Sequence, residues 1–149
     1  MKVAHNVKLS VFSHEEEDSE QIKQKFLELV PFDLEQENLE LKTRNAQGVQ
    51  EKKIMIYELN LTKERHTKRF MEHLKSNLDK DQIGLLKKQA ESRLDQELNF
   101  FIRLDKPNLL QDNKLLITDA GNCFHIKISV AAYPANRENG LKVINEWLD

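Results

Sequence analysis

The chain has 149 residues, 39% hydrophobic and 32% charged, with a net charge of −2; residues 1–149 fit one domain large enough to bury a real core. No apolar run approaches a membrane span, and one cysteine, Cys123, rules out an internal disulfide and makes a reducing compartment, the cytoplasm, the expected location. Residues 12–40 hold ten acids against two lysines, whereas residues 41–93 hold thirteen Lys and Arg against seven acids, an asymmetry that hints at a polyanionic partner.

Residues 2–12 alternate in polarity, with Val3, Val7, Leu9 and Val11 favouring one face, which predicts a strand and not a signal peptide. Asp18 followed by Gln21 has the spacing of a capping box and opens a helix with the apolar stripe Ile22, Phe26, Leu29 and Val30, which Pro31 stops. Strands near 37–44 and 53–61 flank a turn at Asn45 to Gly48. Thr62 can cap the next helix, whose core stripe is Thr67, Phe70, Met71, Leu74 and Leu78. Asp79 and Gln82 repeat the capping spacing and start a helix reaching roughly Arg93.

Residues 98–104 predict a further strand, and KPNLLQD a connector of about one helical turn. A second hairpin pairs 114–118 with 123–132 around Asp119 to Asn122. The last helix, entered through Pro134 at its first position, buries Leu141, Ile144, Trp147 and Leu148. This order of elements predicts a single α+β domain, an α/β sandwich with helices stacked on an antiparallel or mixed sheet.

No motif for catalysis is present: there is no G-x-S-x-G, no P-loop and no G-x-G-x-x-G among the four glycines. The expectation is a protein that is not an enzyme and needs no cofactor. Cys123 and His125 share a strand face, but a zinc site needs two more ligands at a recognisable spacing. His66 and His73 lie seven apart on a helix, without the i, i+4 spacing of a helical zinc motif. The run His14-Glu15-Glu16-Glu17-Asp18 suits the positive end of a helix dipole better than a cation. No metal is expected.

Basic residues carry the stronger signal. On the helix after Thr62, Arg65 and Arg69 fall opposite the apolar stripe with Lys68 and Lys75 on one flank, where an ordinary charged face explains them equally well. Lys42 and Arg44 flank a hairpin tip, and Lys127 shares the strand face of His125. Arg103 and Lys106 end an apolar strand with charges whose geometry suits phosphate, unless an Arg–Asp pair merely closes the strand. Tyr133, Asn136 and Arg137 open the last helix, whose first N–H groups form an anion site; a pairing of Arg137 with Glu138 or Asp105 is the competing explanation.

FFIRLDK (100–106) and IKISVAAYPANRENGLKVI (126–144), with the opening VFSHEEEDSEQIKQKFLEL, resemble the archaeal RNA-binding family of predicted exosome-associated subunits. Its most specific part here is Tyr133, Pro134, Ala135, Arg137, Glu138 and Asn139; Asn136 stands where that family often has lysine. The resemblance implies a fold similar to ribosomal proteins that hold 5S rRNA, and a non-enzymatic binder of structured or double-stranded RNA. It also implies a homodimer, with exosome or ribosomal components as partners. Arg103, Lys106 and Arg137 are then expected to converge on one phosphate site. The alternative is a protein–protein adaptor of an RNA-processing complex that makes no RNA contact itself.

Overall fold

The structure, a computed structural model, describes residues 2–47 and 52–149. The opening strand β1 (Ala4–His14) is followed by α1 (Ser19–Glu28), β2 (Lys42–Gln47) and β3 (Lys53–Leu61). Three helices come next: α2 (Glu64–Asn77), α3 (Lys80–Lys88) and the single turn α4 (Ala90–Arg93). The chain closes with β4 (Asn99–Asp105), α5 (Lys106–Asp112), β5 (Cys123–Val130) and α6 (Arg137–Leu148). The five strands form one sheet in the order β2-β3-β1-β5-β4, and every neighbouring pair is antiparallel.

Strand alternation sends successive side chains to opposite faces, and here the helices pack against one of them. Val7, Leu9 and Val11 of β1 are buried together with Leu59 and Leu61 of β3, Phe124, Ile126 and Ile128 of β5, and Phe100, Ile102 and Leu104 of β4. They share a single core with Ile22 and Phe26 of α1, Phe70, Met71 and Leu74 of α2, Leu86 of α3, and Ile144, Trp147 and Leu148 of α6. Truncating one such fully buried phenylalanine to alanine typically costs about 3–5 kcal/mol, so this layer supplies the stability. The out-of-phase residues Lys8, Phe12 and Lys127 are exposed, and Ser10, Glu58, Phe101, Arg103 and His125 are half-buried. Among the described residues no helix packs on the second face of the sheet, although Ile56 and Cys123 on it are buried.

Local chemistry explains where the elements start. Asp18 accepts from the Gln21 N–H at 3.2 Å and Asp79 from the Gln82 N–H at 2.9 Å, so both predicted caps form. The stripe of α2 is buried as expected, with His66 added to it. Other boundaries differ. Residues 37–41 are not strand, and β2 begins at Lys42; of the expected turn, Asn45 to Gln47 are strand and Gly48 lies outside the described residues.

Thr62 does not cap α2: Lys63 holds that position without a side-chain bond. The single helix expected over 79–93 breaks at Gln89, whose Oε1 accepts from Arg93 Nε at 2.9 Å. Residues 114–118 do not pair with β5, because β1 and β4 already occupy both of its edges. They lie along the outer edge of β4 instead, through a Leu104–Ile117 bridge and a Thr118 N–H donated to the Arg103 carbonyl at 2.9 Å. Pro134 is not the first residue of α6; Asn136 caps a helix that starts at Arg137, and the Tyr133–Pro134 bond is cis.

Candidate nucleic-acid interface

Register brings the open-face side chains into rows that cross the sheet. Lys42 lies opposite Glu58, Glu58 opposite Ser10, Ser10 opposite His125 and His125 opposite Arg103, a row over all five strands. Beside it run Asn60, Lys8, Lys127 and Phe101, and on the other side Arg44, Ile56 and Phe12. With strands about 4.8 Å apart, Lys42 and Arg103 stand about 19 Å apart at the two margins. Four of the predicted candidates, Lys42, Arg44, Arg103 and Lys127, therefore come together on one surface, and Lys8 joins them.

Two acids share this face with the five cations: Asp105, in phase with Arg103, caps α5 by accepting from the Asn108 N–H at 3.0 Å, and Glu58 lies in the central row. Glu58 accepts from Arg44 at 2.5 Å and lies 4.0 Å from Lys8. The Arg44 hydrogen bond, opposed by burial and aided by the charges of Lys8 and Lys42, holds its carboxyl below the ordinary range. Among the described residues, Lys42, Arg103 and Lys127 form no ion pair. The face is left with a positive excess.

Between the cations lies an aromatic patch. Phe12, on the central strand, is 42% exposed, an unusual position for a large apolar side chain. Its ring centroid is 6.0 Å from that of His125, with the planes tilted by 41°. A shallow cavity of about 260 Å³ is lined by Phe12, Phe101, His125, Lys8, Arg103 and Lys127. Burial first, then the charges of Arg103 and Lys106, pushes the His125 pKa below its usual value, so the ring is neutral at neutral pH.

Cys123 Sγ lies 3.6 Å from His125 Nε2, but burial pushes its thiol pKa up, which disfavours the nucleophilic thiolate. Among the described residues no cluster of three or more His, Cys, Asp or Glu is placed to hold a metal.

The other candidates lie elsewhere. Arg65, Lys68 and Arg69 are on α2, in the helical layer behind the sheet. Glu37 sits 3.6 Å from Arg65 Nε, 3.0 Å from the buried His66 Nε2 and 4.0 Å from Arg69. Arg69 also donates to the Pro31 carbonyl at 3.0 Å and covers the Phe32 ring at 5.1 Å. Here the acidic and basic stretches of the sequence meet and partly neutralise each other. Lys68 is exposed, between Glu64 and Glu72.

Lys106 corrects the expectation of a surface phosphate contact. It is 1% exposed, and its Nζ donates to the Phe12 carbonyl at 2.5 Å and to Glu17 at 3.2 and 3.3 Å. Burial would raise the Glu17 pKa, but hydrogen bonds from the His14 N–H, the His14 ring and Lys106 outweigh it and bring it to about 2. The ammonium is thus held inside by a carboxylate that stays ionised.

Arg137 is likewise withdrawn from the expected cluster. Its guanidinium donates to the carbonyls of Leu94 and, at 3.0 Å, Glu91. Those carbonyls end α4, which is too short for a following turn to satisfy them. Asn136 uses its Oδ1 to cap α6, accepting from the Asn139 N–H at 2.8 Å. Tyr133 is 97% exposed. The expected convergence of Arg103, Lys106 and Arg137 fails for a simple reason: β4 and β5 are antiparallel, with Asp105 opposite Cys123 and Asn99 opposite Ser129. Their ends are about 20 Å apart at strand rise.

Lys8, Phe12, Phe101 and His125 were not singled out from the sequence as binding residues. The signal for the first two was the phase of β1, in which Lys8, Ser10 and Phe12 alternate with the buried valines and leucine.

A family model described as RNA binding matches residues 6–130, a span that includes every open-face cation and ends before Tyr133. An RNA-binding protein of Pyrococcus abyssi is 26% identical over 146 residues, which are 98% of this chain and 94% of that protein. A solved structure from Archaeoglobus fulgidus superposes with a TM-score of 0.83 at 25% identity, over 98% of this chain and 99% of that one. Another from Methanothermobacter thermautotrophicus gives 0.77 at 25% identity, over 99% of both chains.

Proposed function

Because this chain belongs to an archaeal family of RNA-binding proteins, we propose that it docks structured or double-stranded RNA on the open face of its sheet, through phosphate contacts. The observation that carries this reading is the gathering of Lys8, Lys42, Arg44, Arg103 and Lys127 on one face, with Glu58 the acid engaging Arg44 and Lys8. Cations at both margins of a surface about 19 Å wide suit the two backbones that border the shallow minor groove of an A-form helix. Contacts of this kind fix position and supply affinity without reading sequence.

The protein acts by holding RNA and not by transforming it. In the cytoplasm, alone or as a homodimer, it would present structured RNA to processing or degradation machinery, with exosome or ribosomal components as partners. Lys42, Lys8, Arg103 and Lys127 each stand for about one phosphate, so log K for a labelled duplex should fall against log salt with a slope of roughly −3 to −4. Equilibrium titration at several salt concentrations measures it. A flat response, or no binding at low salt, overturns the RNA reading and leaves an adaptor that recognises protein.

A further inference from the structure

We propose that Phe12, His125 and Phe101 form a stacking site for an unpaired nucleobase, so that the RNA held here is a helix interrupted by a bulge or loop. The inference rests on the RNA reading of the open face and narrows its ligand. Phe12 belongs to β1, whose two edges are taken by β3 and β5. An added strand cannot reach it, so its occupant must lie flat on the face. The cavity beside it, about 260 Å³, is below the usual range for a drug-sized ligand and suits a single flat heterocycle.

The surroundings select the chemistry of that occupant. Lys8, Arg103 and Lys127 rim the same cavity, a placement that favours a polyanion over an apolar peptide. A nucleotide meets both demands at once, with its base on the rings and its flanking phosphates on the cations. A continuous duplex cannot, because its base faces are stacked inside the helix; an unpaired base offers a free π-face. His125, kept neutral by burial and by Arg103 and Lys106, adds a ring that both donates and accepts hydrogen bonds at a base edge. Stacking needs no particular base, so preference for the unpaired nucleotide should be tolerant of its identity.

Three RNAs test this: a fully paired duplex, the same duplex with one bulged nucleotide, and that bulge made abasic. The abasic form keeps the backbone irregularity and lacks the base. Wild-type protein should bind the bulged RNA about tenfold tighter than the other two, the share that one base–aromatic stack carries. Phe12→Leu and Phe101→Leu, which keep apolar bulk and lose the π-face, should each reduce that preference while leaving duplex affinity and salt slope unchanged. Equal binding of the bulged and abasic RNAs, or an undiminished preference in both variants, overturns the stacking site and leaves phosphate docking intact. If none of the three RNAs binds at low salt, the RNA reading itself falls, and the stacking site with it.

Discussion

Replacing Glu17 with glutamine removes the carboxylate that faces the buried Lys106 ammonium. Lys106 is 1% exposed and Glu17 19%, so the remaining charge would be left with the Phe12 carbonyl and a neutral amide. Breaking a buried pair from one side costs about 3–5 kcal/mol, and the lower end applies because water still reaches Glu17. At this chain length each kcal/mol moves the melting temperature by about 2–4 °C, so Glu17→Gln should melt about 6–12 °C lower at pH 7.

Acid adds a second signature. The Glu17 carboxyl titrates near 2 in the folded chain, against 4.5 for a free glutamate. Its contribution is therefore present above pH 4.5 and is lost as the pH falls toward 2. Discounted for solvent, it amounts to about 1–2 kcal/mol. Circular dichroism melts from pH 7 to pH 3 should show the wild type losing more stability than Glu17→Gln, with the exposed Glu16→Gln as a control that follows the wild type. A Glu17→Gln protein that melts within about 2 °C of wild type at pH 7 and keeps the full acid slope would refute the buried pair.

Arg137→Gln should lower stability by about 2 kcal/mol, the worth of charge-assisted bonds to the last carbonyls of α4, and leave RNA affinity unchanged; melting and titration of one preparation measure both. Gly140→Val should cost about 1–3 kcal/mol by overpacking, since a Cβ there already meets methyl carbons of Leu94 and Leu98 at 3.2 Å. Gly84→Ala, with nothing within 4 Å of the added carbon, should instead stabilise α3 by about 0.5–1 kcal/mol, and urea midpoints distinguish the two glycines.

What could be read from the sequence was local. The caps at Asp18 and Asp79 are three-residue patterns, and the stripe of α2 and the alternation of β1 are periodicities, so each is complete within its own segment. The misplaced residues depend on distant partners. Glu17 lies 89 residues from Lys106, and the carbonyls held by Arg137 lie 43 and 46 residues away. A lysine at a strand end looks exposed until a carboxylate arrives from the far side of the fold.

The binding face was half visible for the same reason. Lys42, Arg44, Arg103 and Lys127 were recognisable one by one as basic residues on strands. Their assembly required the order β2-β3-β1-β5-β4, which no local pattern encodes. Phe101 was hidden in the apolar run Asn99–Leu104, where neighbouring hydrophobic residues mask which of them faces the core. Residues 114–118 had strand-like composition, but both edges of β5 were already occupied.

The salt dependence of RNA binding in two charge variants, one on each face of the sandwich, tests the central claim most directly. Arg103→Gln with Lys127→Gln removes two unpaired cations from the open face, and Lys63→Gln with Lys68→Gln removes two exposed cations from the start and the flank of α2. Both pairs change net charge equally, so any difference reports position alone. The open-face pair should weaken binding of the bulged duplex and make the log K against log salt slope shallower by about 1.5–2, while the α2 pair leaves the slope at its wild-type value. If the α2 pair flattens the slope and the open-face pair does not, RNA binds the helical layer and the account of the open face is wrong.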